Sequence, residues 1–181
     1  MEPFEYIMHS GGAYGSDYMW EIIGREFGLT EFNHYYYGSR TPYGNKCISY
    51  DQFIEGRDHV LLANKTLKRK PNKYMNILSR NWQQVCNSDV VLAIGNLKNP
   101  NEVDGGTGWA VQMSIDIGKP VYVFDQGNVF NNHWCKFYYD QFIPISDAPT
   151  LERNFAGIGT REINEFGIKA IRDVYNKTFN I

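Results

Sequence analysis

The chain has 181 residues, 43% of them hydrophobic and 15% aromatic, and a formal net charge of −2. That is enough apolar material to bury one core, so a single domain over residues 1–181 is expected, and the acidic balance argues against general nucleic-acid binding, which depends on neutralising phosphates. No apolar run approaches the roughly 20 residues needed to cross a bilayer, and the opening MEPFEYIMHS has no basic stretch followed by an apolar one, so a cytoplasmic protein with no membrane partner is expected.

In chain order, residues 5–9 read as a short strand that runs into a glycine loop, Ser10-Gly11-Gly12-Ala13-Tyr14-Gly15. Ser16 or Asp17 then caps a helix that ends at Phe27, with Gly28 just past it and Tyr18, Met19, Ile22, Ile23 and Phe27 on its apolar face. Residues 30–37 form a second strand with an aromatic end, and residues 38–45, rich in Gly, Pro and Asn, form a loop. Ser49 with Gln52 resembles a capping box, which predicts a helix over 50–64. Residues 65–73 are the one basic cluster; it reads as a solvated helix end, with an arm facing an anion as the alternative. An amphipathic helix over 74–86, with Met75, Leu78, Trp82 and Val85 on one side, leads to an apolar strand at 89–94.

Residues 104–108, Asp-Gly-Gly-Thr-Gly, form a second glycine turn; a helix over 109–117 ends at Gly118, and residues 120–124 form a buried strand. After an Asn-rich loop, residues 135–145 read as an added strand pair. A last strand at 154–158 enters Gly159-Thr160-Arg161, and a helix of regular 3.6-residue period fills 161–178. Strand, glycine loop, helix and strand in succession make the βαβ unit of a parallel sheet, so an α/β fold is expected.

The glycine loops point to a ligand. A helix that begins on such a loop directs unpaired N–H groups and the positive end of its dipole at whatever lies above it, and that is a phosphate site. Neither a G-x-G-x-x-G spacing nor a Gly-Lys-Ser/Thr sequence is present, so neither the dinucleotide fingerprint nor the P-loop applies. Ser10, Gly11, Gly12, Ala13, Ser16 and Asp17 in the first loop, Gly105, Gly106, Thr107 and Gly108 in the second, and Gly157, Gly159 and Thr160 in the third are the expected ligand-binding residues; tight strand-to-helix turns are the alternative. Arg161 is expected to pair bidentately with a phosphate, with a surface salt bridge as the alternative; Tyr14 and Trp109 could stack on a base or lie partly in the core, and Gln112 can hydrogen-bond the ligand. His9, His34, His59 and His133 lack metal-ligand spacing, and Cys47, Cys86 and Cys135 form no Cys-x-x-Cys pair, so no metal, cofactor or disulfide framework is expected. His9, just before the first loop, is the histidine nearest the ligand. Ser10 and Ser16 have no neighbouring histidine in the sequence from which a nucleophilic triad can be argued.

Gly105-Gly106-Thr107 opening a helix that leads to a Gly-Lys-Pro-Val strand, together with residues 10–17 and 155–161, resembles the SLOG-type Rossmann-like superfamily, which includes Lonely-guy phosphoribohydrolases, DNA-processing protein A and nucleotide sensors of bacterial immune effectors. The resemblance implies a Rossmann-like three-layer sandwich with a mainly parallel sheet. In that superfamily the Gly-Ile-Gly-Ser/Thr-Arg element usually begins the chain; here it ends it, which implies a circular permutation with the termini close together.

The resemblance also bears on catalysis. The paired glutamates of Lonely-guy enzymes fall on Val111 and Gln112, and the nucleophilic glutamate of nucleoside deoxyribosyltransferases falls on Ala110, so the carboxylate that would attack or stabilise an oxocarbenium-like centre is missing. The implied function is therefore binding and sequestration of a nucleotide-derived signalling molecule, cyclic or ADP-ribose-like, as by a phage-encoded sponge against host immunity. The alternative is a nucleotide N-glycosidase using Asp17, Glu21 or Glu162, carboxylates that also complement helix dipoles. Self-association, most simply as a dimer, is expected from the aromatic residues at 35–37 and 134–139.

Overall fold

A computed structural model describes residues 1–181. Eight strands form one sheet: β1 (Ile7–Ser10), β2 (Glu31–Tyr36), β3 (Lys46–Cys47), β4 (Val90–Gly95), β7 (Val121–Asp125), β8 (His133–Tyr138), β9 (Gln141–Pro144) and β10 (Asn154–Gly159), in the order β3-β2-β1-β10-β4-β7-β8-β9. Pairing is parallel from β3 through β7 and antiparallel at β8 and β9. A separate small hairpin, β5 (Leu97–Asn99) with β6 (Glu102–Val103), is inserted between β4 and the second glycine loop.

Five helices cover the sheet: α1 (Ser16–Glu26), α2 (Tyr50–Leu67), α3 (Met75–Cys86), α4 (Thr107–Asp116) and α5 (Glu165–Phe179). Side chains alternate across a strand, so Val91 and Ala93 of β4 enter the core beneath α2, α3 and α4, whereas Val90, Leu92 and Ile94 enter the core beneath α1 and α5. β4 is buried along its whole length for that reason, as expected of a central parallel strand. The result is the α/β, Rossmann-like three-layer sandwich.

The last strand of the chain is central. β10 lies between β1 and β4, with Ile7 opposite Asn154 and Phe155 opposite Val90. α5 then returns the chain to its start, where the Phe179 ring meets Tyr6 edge-on at 5.3 Å. The register is the one expected if the final strand docks beside the first.

Several boundaries differ from the sequence reading, each for a local reason. α5 begins at Glu165 and not at Arg161, because the Asn164 side chain caps it by accepting the Gly167 N–H at 3.0 Å. α2 runs on to Leu67 and stops where Lys68 turns left-handed, φ 54°. α4 starts two residues earlier than the apolar pattern implies, at Thr107. The expected strand pair at 135–145 is the β8–β9 hairpin, and no helix of the chain is long and apolar enough to cross a membrane.

Candidate anion-binding cleft

Parallel strands deliver their carboxyl ends to one edge, where ligands of open α/β sheets gather. At this edge the ends of β1, β4 and β10 meet a cleft of about 780 Å³, within the range of small-molecule sites. Ala13 and Asp17 from the first glycine loop, Gly105, Gly106, Thr107 and Trp109 from the second, and Gly159, Thr160 and Arg161 from the third all line it, so the three loops converge. Ser10, Gly11, Gly12, Tyr14, Ser16, Gly108, Gln112 and Gly157 do not form its wall.

The first loop is closed on itself. Asp17 Oδ2 accepts the N–H groups of Gly11 at 3.2 Å and Ala13 at 3.1 Å, and Ser10 Oγ accepts that of Gly12 at 3.1 Å. The Ser16 amide and hydroxyl both donate to the Thr160 carbonyl, at 3.0 and 2.6 Å. The donors expected to face a phosphate are thus engaged within the protein. Gly15 is compressed against the third loop, where a Cβ would lie 2.3 Å from the Arg161 carbonyl oxygen, and its φ of 81° disfavours any side chain. Tyr14 is exposed and meets Tyr43 edge-on, while Tyr43 stacks on Tyr18.

Ser10, His34 and Glu21 form a relay that sequence proximity could not reveal. Ser10 Oγ lies 2.6 Å from His34 Nδ1, and His34 Nε2 lies 2.6 Å from Glu21 Oε2, whose other oxygen pairs with Arg25. The arrangement has the connectivity of a nucleophilic triad, but Ser10 has no exposed surface and its hydroxyl is held between His34 and the Gly12 amide. It fixes α1 and β2 to the loop. Likewise His9 faces Tyr35 and Asn154, at 2.9 and 3.2 Å, and burial pushes its pKa down.

The second loop is open. The Gly105 amide caps Asp104 Oδ1 at 2.9 Å, but the Gly106 amide has no acceptor, and a Cβ at either glycine would meet nothing within 4 Å. Arg69 orients this peptide. Its Nη1 donates to the Gly105 carbonyl at 2.8 Å, so in a planar trans unit the Gly106 N–H points the opposite way. Arg69 itself is locked by Glu102 at 2.6 Å, the Val103 carbonyl at 2.7 Å and the Asn64 side chain, and it lies 6.0 Å from the Trp109 ring. Of the basic cluster at 65–73, Arg69 and Lys70 line the cleft. Trp109 is 5% exposed and serves as wall rather than platform. Gln112 donates to Asp116 at 2.8 Å, and Val111 is buried in the core.

The residue that sequence reasoning missed is Arg80. It is 6% exposed, lines the cleft from α3, and has no carboxylate within ion-pair distance. Its Nε has no partner, and the Gln84 amide, assigned with its oxygen inward, accepts from Arg80 and from the Gly11 N–H at 3.2 Å. A Cβ on Gly11 would fall 1.5 Å from Arg80 Nη1, so Gly11 is the space into which this guanidinium fits. Burial lowers the Arg80 pKa, the Asp17 charge opposes that shift and the Arg161 charge adds to it. Burial raises that of Asp17, against the pull of Arg80 and the two loop amides. Arg161 forms no salt bridge and remains exposed at the rim.

A signal for Arg80 existed in the sequence. α3 must pack over the sheet end on one side, yet its other side carries Ser79, Arg80, Asn81, Gln83 and Gln84, all buried. Polar residues of that density on a helix leading into a central strand have to face something polar. In comparisons with known proteins, the chain matches no family model, no curated protein and no solved structure.

Proposed function

We propose that this cleft binds a nucleotide-derived anion, with a phosphate held between Arg80, Arg161 and the start of α4, and sequesters it without turnover. The observation that carries the reading is Arg80. Burying a cation with no carboxylate in ion-pair contact costs several kcal/mol, which the more distant Asp17 charge offsets only in part, and an oxyanion entering the cleft supplies a contacting partner. Lys70 and Arg161, also free of ion pairs, add positive potential, and the open Gly106 amide adds an oriented donor.

The carboxylates of the cleft support binding over catalysis. Asp17 is held by loop amides, and Asp104 and Glu162 stand exposed on the rim. Glu21 is withdrawn into its contacts with His34 and Arg25. A nucleotide N-glycosidase is the second reading, favoured only by the burial and raised pKa of Asp17 beside the cleft. Kinship with a circularly permuted SLOG-type domain, and service as a phage sponge against a nucleotide immune signal, extend the binding reading by analogy. Incubating the protein with nucleotides and cyclic or ADP-ribose-like messengers, denaturing it and chromatographing the supernatant tests the reading: the ligand is expected back intact, and a released base would establish the glycosidase instead.

Self-association belongs to the same proposal. Tyr35 and Trp134 are buried within the chain and Tyr36 and Tyr37 are half-buried, so the most exposed aromatic surface for it is the β8–β9 tip, with Tyr138 and Tyr139. A 21.0 kDa species alone in sedimentation at micromolar concentration would exclude it.

A further inference from the structure

The geometry points to Asp17 as the residue that reads the sugar of the ligand: its free carboxylate oxygen accepts one of the two sugar hydroxyls of a ribonucleotide, so the cleft discriminates against the analogue that lacks that hydroxyl. The inference rests on the nucleotide reading above. Asp17 is 5% exposed, and its two oxygens are not equivalent. Oδ2 is saturated by the Gly11 and Ala13 amides. Oδ1 has no partner in the protein, yet it is not among the sealed, unpaired atoms of the interior, and Asp17 lines the cleft. One acceptor therefore opens into a site whose other charged groups nearby, Arg80 and Arg161, are donors.

Chemistry decides what fills it. A second phosphate oxygen would repel a carboxylate, and the donors of the base differ from one nucleotide to the next. The sugar hydroxyls are the donors common to all ribonucleotides, carried on the same ring that bears the phosphoester arm. A hydroxyl can donate to Asp17 Oδ1 while accepting from a neighbouring cation, which satisfies both. A site that buries an acceptor for one hydroxyl penalises the analogue lacking it, because the acceptor is then left unpaired.

The test is calorimetric titration with nucleoside 5′-monophosphates of all four bases in ribo, 2′-deoxy and 3′-deoxy forms. Loss of one of the two hydroxyls is expected to weaken binding by about tenfold to a hundredfold. In Asp17→Asn the side-chain oxygen must still face the loop amides, so its NH₂ replaces the acceptor in the cleft. That variant is expected to reduce the discrimination to within twofold while keeping or raising affinity for the deoxy forms. Equal affinity of the wild type for all three sugars overturns the inference and leaves the nucleotide reading standing. Undiminished discrimination in a folded Asp17→Asn or Asp17→Glu variant, checked by circular dichroism, also overturns it. Failure of the wild type to bind any of the monophosphates overturns the inference and confines the proposed function to cyclic and ADP-ribose-like messengers.

Discussion

The first and second glycine loops have nearly the same composition and occupy the same edge of the sheet, yet they are opposite in design. At Gly11, Gly12, Ala13 and Ser16 every amide is taken up by Asp17, Ser10 or Thr160, and the glycines make room for close neighbours: Gly11 for the Arg80 guanidinium, Gly12 for Tyr43 and Gly44, and Gly15 for the Arg161 backbone. At Gly105 and Gly106 there is open space, and one amide is left free. The first loop contributes by what it positions, the second by what it leaves unpaired. A glycine-rich turn before a helix is thus two different devices, and what distinguishes them is whether another element lies where the Cβ would be.

The largest expected effect breaks the comparison through stability. Gly15→Ala combines a residue forced to φ 81° with a contact of 2.3 Å on the Arg161 backbone, which cannot rotate away. Adding the left-handed penalty to overpacking gives a loss of about 2–4 kcal/mol in urea denaturation. Gly106→Ala, at φ −62° with nothing within 4 Å, is expected to change stability by less than about 0.5 kcal/mol. Gly106→Asp keeps that tolerance but brings a negative charge to the open amide, so it removes ligand binding from a folded protein. Comparable destabilisation at residues 15 and 106 would erase the distinction.

Next in size is the effect of the two arginines. Arg161→Ala is expected to weaken binding by about 1.5–3 kcal/mol, as for one charge-assisted hydrogen bond, and more steeply for ligands with more phosphates. Arg80→Met removes the anchor from beneath the first loop and is expected to abolish calorimetric binding. Because it also removes a buried cation that no carboxylate contacts, its thermal midpoint should stay near that of the wild type, whereas a merely structural arginine would lower it.

Much of the fold was legible because its signals are local. The continuous apolar run in 89–94, the capping box at Ser49 and Gln52, and the period of 165–179 each report a buried element or a helix end through a few neighbouring residues. The site was legible only in outline. The loops could be placed at one edge, but whether an amide is free depends on partners as distant as Thr160 for Ser16 and Arg69 for Gly105. The polar side of α3 looked like solvent-facing residues because periodicity cannot tell water from a cleft. For the same reason the basic cluster at 65–73 read as a helix end, although Arg69 is clamped to Glu102 and Val103.

A smaller effect concerns the strand beneath the first loop. His9 is buried and neutral, its Nδ1 accepting from the Tyr35 hydroxyl at 2.9 Å and its Nε2 donating to Asn154 Oδ1 at 3.2 Å. Its folded pKa lies below the ordinary 6.5, so the unfolded chain binds a proton more readily. The contribution to stability is full above pH 6.5 and is lost as the pH falls from there toward the folded value. One proton sets a ceiling of about 1.4 kcal/mol per pH unit. Denaturation of His9→Gln between pH 7.5 and 5 is expected to show a shallower slope than the wild type; an identical slope would mean that His9 does not couple this strand to pH.

The smallest effect concerns Gln112, at the position where the Lonely-guy resemblance places a catalytic glutamate. Were it in the second loop's site, Gln112→Glu would repel a phosphate or restore slow cleavage of a glycosidic bond. It lies instead on α4 away from the cleft, 7% exposed, with its amide donating to Asp116 one turn later. Glutamate there loses the donor and sets two carboxylates at i and i+4, so the cost is to the helix: a few tenths of a kcal/mol for an exposed pair, and up to about 1 kcal/mol with the lost hydrogen bond. Ligand affinity and the absence of released base are expected to match the wild type. A loss of affinity with unchanged stability would move Gln112 into the site.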